Sequence, residues 1–369
     1  MDAGGSFPLQ VRETPGVNFA SDNVSGAAPE ILEALTAANA GNAMPYGSDP
    51  VTRRLEALVA DVFEREATVF PVATGTAANA LALQALIPPY GAVYCHRESH
   101  INVDECGAPE FFTGGAKLVA LDGPHGKLQP HTVAAALTAG VRGMPHRVKP
   151  AALSLTQATE AGTVYSIDEI ATLADVAARH GLAVHLDGAR FANAVAALGV
   201  APAELTWRAG VDVLCLGGTK NGCLAAEAVV FFDPAQAEDF AYRRKRGGQL
   251  LSKHRFVAAQ LNAYLRDGLW LRLADHANAQ AQRLAAGLEG LPGLFVVHPV
   301  EANEVFLRAP SAVVAGLEEA GIGFAPWDEG LIRLVTSFDT DPAAVDRLLA
   351  ELSRLTAAAA DEEPVAAGE

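Results

Sequence analysis

Three short polar segments, each directly after an apolar run, carry residue types that could act together. Thr74-Gly75-Thr76 follows the run Thr68 to Val72 and precedes a helical pattern, so its hydroxyls and backbone N–H groups suit an anion at a helix N-terminus. In His185-Leu186-Asp187-Gly188-Ala189-Arg190 a carboxylate closes a strand, and a buried carboxylate needs a cationic partner. An Asp187–Arg190 ion pair or a helix cap would meet the same need. Leu216-Gly217-Gly218-Thr219-Lys220-Asn221-Gly222 sets an amine among small residues, which let something planar approach closely. Singly, these segments read as a connecting turn, a structural pair and a solvated lysine. In this order, with the lysine 33 residues after the acid, they describe one site.

The elements that must position them alternate. Asp49 and Pro50 open a helix whose Leu55, Leu58, Val59 and Phe63 fall at helical spacing. From there, apolar runs at Thr68 to Val72, Ala92 to Cys95, Lys117 to Leu121, Ala151 to Leu155, Leu182 to Leu186, Val211 to Leu216 and Glu227 to Phe232 are interleaved with helical patterns. One of these is the helix from Ile167, which Ser166 and Glu169 start as a capping box. Such alternation predicts a mostly parallel α/β sheet, and in such sheets ligands gather beyond the carboxyl ends of the strands. A long amphipathic stretch, Arg255 to Leu288, would link this lobe to a small α+β one. That lobe would have strands near Phe295 to Pro299 and Ile332 to Thr336, and helices near Ala312 to Ala320 and Pro342 to Leu355. The expected organisation is an N-terminal segment 1–25, a large domain 26–255, a linker helix and small domain 256–356, and a disordered tail 357–369.

Composition narrows the function classes. A chain of 369 residues with net charge −16 has the wrong sign for general phosphate-backbone binding, which argues against nucleic acid as a partner. No basic, apolar leader and no stretch of about 18 uncharged apolar residues occurs, so neither export nor a membrane is expected. Cys95, Cys106, Cys215 and Cys223 are too sparse for a disulfide framework and fit reduced thiols in a cytosolic protein. His96 and His100, with Asp104 and Glu105 following, could suggest a metal, but the H-E-x-x-H pattern is absent and no metal is expected.

The order of turn, acid and lysine resembles that of fold type I pyridoxal 5′-phosphate (PLP) enzymes. Their chemistry needs a lysine amine for a Schiff base, an anion to keep the pyridine nitrogen protonated, and a helix N-terminus for the phosphate. The resemblance is closest to the low-specificity L-threonine aldolases, on the bacterial branch that includes phenylserine-cleaving enzymes. It rests on Asn18 to Asn23, Pro45 to Asp49, Ala73 to Asn79, Ser99 to Asn102, Asp104 to Pro109, Leu186 to Arg190, Gly218 to Gly222 and Arg333 to Ser337.

It implies an aspartate aminotransferase-like large domain and retro-aldol cleavage of threonine, allo-threonine or phenylserine to glycine and an aldehyde. Lys220 would carry PLP, Asp187 would pair with its ring nitrogen, Gly75 and Thr76 would bind its phosphate, and His100 would stack on its face. Ser21, Arg190 and Arg333 would hold the substrate carboxylate. Tyr46 and the basic run Arg243 to Arg246, Arg244 included, would reach a neighbouring subunit's cofactor site in a homotetramer built from catalytic dimers; the run otherwise reads as a solvated helix face. One departure stands out: the stretch after the central strand, Thr156 to Gly162, lacks the second histidine of many relatives. Glu160, His100 or an ordered water must then act on the β-hydroxyl. A β-eliminating lyase or racemase would use the same Lys220 and Asp187, and a silent PLP-binding or nucleotide-binding protein is the reading outside catalysis.

Overall fold

The structure, a computed structural model, describes residues 17–139 and 144–362; residues 1–16 of the expected N-terminal segment and 363–369 of the expected tail lie outside it. In chain order, α1 (Pro29–Ala38) and α2 (Pro50–Phe63) lead into β1 (Thr68–Val72), α3 (Gly75–Leu86), β2 (Gly91–His96), α4 (His100–Val103), α5 (Ala108–Thr113) and β3 (Lys117–Leu121). Next come α6 (Pro130–Ala139), β4 (Lys149–Thr156), α7 (Ile167–His180), β5 (Ala183–Gly188), α8 (Phe191–Leu198), β6 (Val213–Gly217), β7 (Glu227–Phe231) and α9 (Phe240–Arg246). The remainder holds α10 (Arg255–Leu265), α11 (Leu269–Leu288), β8 (Phe295–Val296), β9 (Glu304–Arg308), α12 (Ser311–Glu319), β10 (Ala325–Asp328), β11 (Leu331–Val335) and α13 (Pro342–Glu362).

Local chemistry starts and stops the helices as the sequence implies. The Asp49 carboxylate accepts from Thr52 N at the head of α2, and Ser166 and Glu169 form the capping box of α7, which Gly181 ends at φ 70°. The seven-stranded sheet runs β1-β7-β6-β5-β4-β2-β3. Strands β6, β5, β4, β2 and β3 are parallel, while β7 is antiparallel to both β6 and β1. The reversed β7 leaves β1 pointing the same way as the parallel set, so the carboxyl ends of all these strands share one edge. Helices cover both faces, and Val184, Leu186, Leu214, Leu216, Val229 and Val230 are all buried. At about 1.5 to 3 kcal/mol per buried aliphatic side chain, this core dominates the lobe.

A second sheet, β10-β11-β9-β8, is antiparallel and packs on its own core of Leu284, Leu307, Leu317, Leu334, Leu348 and Leu352. Phe19 joins that core, and Asn18 bridges to Gly323, so the N-terminal segment is tied to this lobe. The expected stretch from Arg255 to Leu288 is broken at Arg266–Gly268, where Asp267 (φ 53°) and Gly268 (φ 68°) take left-handed conformations. The first part, α10, packs Val257, Leu261 and Tyr264 into the large core, on the other side of the boundary expected near 255. Helix α11 enters that core with Leu269, Trp270 and Ala274 and the small one with Ala281, Leu284 and Leu288.

Other expectations are corrected. Of the strand expected near Phe295 to Pro299, only Phe295–Val296 forms, with Val297 N still donating to Phe306 O. Strands β9 and β10 add to the expected set: β9 opens on buried Glu304 and β10 contains Pro326, which obscures both patterns. Helix α13 runs on to Glu362 where a tail was expected from 357, in keeping with the helix propensity of Ala357 to Ala360. Among the described residues no helix is long and apolar enough to cross a membrane.

Candidate active site

The shared sheet edge gathers the chemistry. Asp187 lies near the end of β5, in register with Thr156 of β4 and Cys215 of β6, and Lys220 follows β6 in a short 3-10 turn, Thr219–Asn221. Lys220 is near enough that its charge acts on Asp22, His100 and Glu227. Asp187 is 4% exposed, and its carboxylate accepts from Asn79 Nδ2 (2.8 Å) and Ala189 N (3.0 Å), both neutral donors. The Asp187–Arg190 pair is therefore not formed. At the end of β1, Thr74 caps α3 by accepting from Ala77 N, and a Cβ built on Gly75 would meet nothing within 4 Å. The first turn of α3 is open for an anion at Gly75 and Thr76.

His100 begins α4 beyond β2 and is partly exposed, with Nδ1 2.8 Å from Glu105 Oε1. The Asn79 amide donates to Glu105 Oε1 (2.9 Å) as well as to Asp187, so one side chain separates two buried carboxylates. His100, Glu105 and Asp187 have ligand atoms within 4.8 Å of one another, a grouping whose side-chain hydrogen bonds run to Asn79, to Ala189 N and within the cluster. Its hydrogen bond to Glu105 raises the His100 pKa, and burial raises that of Glu105, so both shifts favour a proton held between them.

Glu160 lies four residues beyond the end of β4, in the stretch that lacks a histidine. Its Oε1 accepts from His100 N (2.7 Å) and Thr156 Oγ1 (2.9 Å), while Oε2 is buried without a partner among the described residues. Burial, and then the Asp187 charge, push its pKa up to about 7. A carboxyl group titrating near neutrality suits proton transfer.

The two arginines expected to bind carboxylate do not stand free. Arg190 is buried and holds Asp22 with two prongs, Nε to Oδ2 at 2.7 Å and Nη2 to Oδ1 at 3.1 Å. Glu304 Oε1 lies 3.4 Å from both Arg190 Nη2 and Arg333 Nη1. Burial would raise the Asp22 pKa, but Arg190 and Lys220 outweigh it and hold the carboxyl below its usual value. Arg333 lies over the Trp327 ring at 5.0 Å, and its buried Nε has no partner among the described residues. Ser21 is spent partly on its own turn, accepting from Asn23 N.

Arg244 is turned inward. Its guanidinium lies over Phe70 at 5.2 Å and 3.4 Å from Pro71 O, so it touches the end of its own β1; burial lowers its pKa to about 10. The solvated-face reading fits its neighbours Lys245 and Arg246, which are exposed, and Lys245 lies 4.8 Å over the ring of exposed Tyr46.

Sequence reasoning gave no role to Asn79, Glu105, Asp22, Glu227 or Glu304. A lone Asn79 in the alanine and leucine run of α3, and glutamates opening the apolar runs of β7 and β9, were available signs. Glu227 is 7% exposed and accepts from Gly218 N, two residues before Lys220; burial raises its pKa to about 7.

Comparison with known proteins bears on this arrangement. The chain matches the family described as beta-eliminating lyase over residues 18–312. It is 46% identical over 335 residues to the low specificity L-threonine aldolase of Pseudomonas aeruginosa, covering 90% of this chain and 96% of that protein. To the enzyme of the same name from a Pseudomonas sp. strain it is 45% identical, covering 92% and 98%. A threonine aldolase structure from Leishmania major matches with a TM-score of 0.86 at 28% identity, covering 92% of this chain and 99% of that one. Aspartate aminotransferase from Thermus thermophilus, at 19% identity and a TM-score of 0.64, covers 91% of this chain and 90% of its own and shares the fold alone. The expected fold class is therefore the observed one, and the chain belongs to the beta-eliminating lyase family, among its low-specificity L-threonine aldolases.

Proposed function

We propose that this protein cleaves L-threonine, L-allo-threonine and related β-hydroxy-α-amino acids such as phenylserine to glycine and an aldehyde, with PLP as cofactor. The observation that carries it is the Asp187 carboxylate, buried beside the strand that leads to Lys220 and met only by neutral donors among the described residues. A buried anion in that state is completed by a cationic ring. The open first turn of α3 fits a phosphate and the partly exposed His100 ring fits a stacking partner. Lys220 would hold PLP covalently, Asp187 its ring nitrogen, and Gly75 and Thr76 its phosphate; when bound, PLP supplies an electron sink for the bond broken at Cα.

The chain's own residues supply orientation and proton transfer. Arg333, with an unpartnered Nε, takes the substrate carboxylate beside Arg190 and Ser21. Holding that carboxylate would fix the orientation of the bonds at Cα, which selects retro-aldol cleavage over other outcomes. Glu160 would take the β-hydroxyl proton through Oε2 as the Cα–Cβ bond breaks and the aldehyde leaves, the bond's electron pair being what the cofactor's sink would accept. His100, poised by Glu105, would stack on the cofactor and handle the proton returned to Cα.

The reading includes a cytosolic location, supported by four unpaired cysteines, and a homotetramer of catalytic dimers. Exposed Tyr46, which lies under Lys245, and exposed Met44 and Tyr242 support a contact with a second copy. The test is to incubate the protein with PLP and a panel of β-hydroxy amino acids and quantify glycine and aldehyde. Glycine in step with aldehyde is expected, with loss of turnover and of the visible absorbance in Lys220→Ala; a fully active Lys220→Ala would end the reading.

A further inference from the structure

A cavity of about 380 Å³ opens beside Glu160 and is walled by both lobes. Its wall contains a continuous run of rings. Arg333 lies over Trp327, Trp327 meets Phe306 edge-on (centroids 5.1 Å apart), Phe306 meets His298 (5.2 Å), and His298 meets His125 (5.3 Å). One end therefore starts at the arginine assigned to the substrate carboxylate, and the far end is a pair of imidazoles. Phe306, Trp327 and Leu331 make the near wall apolar.

The imidazole pair has a defined hydrogen-bonding character. His125 Nδ1 and His298 Nδ1 are 3.0 Å apart, so one ring donates and the other accepts. The ring that accepts at Nδ1 carries its proton on Nε2; the ring that donates has a bare Nε2. The pair thus offers one donor and one acceptor, and among the described residues neither Nε2 has a partner. A hydroxyl group, itself donor and acceptor, complements both. Burial, and then the His125 charge, lower the His298 pKa, which favours a neutral His298 ring.

We propose that this cavity receives the β-substituent of the substrate, and that the His125–His298 pair reads a hydroxyl on its far end. The preferred substrate class is then β-hydroxy-α-amino acids whose β-carbon bears a hydroxylated aromatic ring, the ring lying against Phe306 and Trp327. The inference rests on the aldolase reading and names the substrate class of that site.

The experiment measures kcat/KM of the PLP-loaded enzyme for threonine, phenylserine and 4-hydroxyphenylserine, in the wild type and in two variants. The wild type should prefer 4-hydroxyphenylserine to phenylserine by about three- to tenfold, the scale of one neutral hydrogen bond made in place of water. In His298→Phe, which keeps a ring against Phe306 but removes both nitrogens, that ratio should fall to about one. His125→Asn, which keeps a donor and an acceptor on a shorter side chain, should lower the ratio less. A wild-type ratio near one, or a ratio that His298→Phe leaves unchanged, overturns the pocket assignment while threonine cleavage still stands. Absence of glycine from all three substrates overturns the aldolase reading, and the substrate class falls with it.

Discussion

Asp22 and Arg190 close a buried, two-pronged ion pair across 168 residues of sequence. Asp22 lies in the N-terminal segment that is tied to the small lobe, and Arg190 caps α8 just after Asp187. The pair joins the end of the site proposed for the substrate carboxylate to the end proposed for the cofactor, and Glu304 extends it to Arg333. Arg190 therefore acts from a fixed position, while Arg333 keeps a donor to spare.

Replacing Asp22 by Asn should destabilise the protein by about 3 kcal/mol, the cost of leaving one member of a buried pair without its counter-charge. KM should rise more than kcat falls. The folded-state pKa of Asp22 is depressed, so its contribution is present above the unfolded carboxyl value and lost as pH falls through the folded one. Urea unfolding should show a wide gap between wild type and variant near pH 7 that narrows in acid. Equal stability at every pH would contradict the role.

Asn79→Ala removes the amide that separates Glu105 from Asp187. Two carboxylates then face each other without a shared donor, and Asp187, left among the described residues with Ala189 N alone, is held less firmly for a cationic ring. The dissociation constant for PLP, followed by visible absorbance during dialysis, should rise about tenfold, the worth of a hydrogen bond to a charged group. Unaltered retention would assign Asn79 to packing alone.

For Glu160 the pH profile is decisive. A base with a pKa of about 7 is active when deprotonated, so kcat/KM should climb as pH rises through that value. Glu160→Gln should lose that limb and about 10² to 10⁴ of kcat. A variant that keeps the limb would shift the proton transfer to His100 or to water.

Arg333→Ala should raise KM for threonine and phenylserine alike, since both carry the same carboxylate, by roughly ten- to a hundredfold. Arg333→Lys should recover only part of the loss, because an ammonium lacks the planar fork. An effect confined to phenylserine would place Arg333 on the ring side of the cavity instead.

The order of anion turn, acid and lysine is legible in the sequence, because each depends on local backbone rules: a capped helix start, a strand end, a run of small residues. Apolar alternation likewise marks the strands of the large sheet, while β9 and β10 escape because Glu304 and Pro326 interrupt their patterns. Similar motifs name the chemistry, yet the partners of each charged group stay hidden. Asp187 reads as a mate for Arg190 three residues on, but β5 and α8 aim the two side chains apart, toward Asn79 and Asp22. Arg333 and the four rings from Trp327 to His125 are scattered along the chain, and no spacing in the sequence announces them. Residue type and local order determined which reactive groups exist and roughly where the backbone presents them. Only the packing of two lobes decided which charges neutralise one another, since desolvation and Coulomb attraction depend on distance in space, and that distance is set by side chains far apart in sequence.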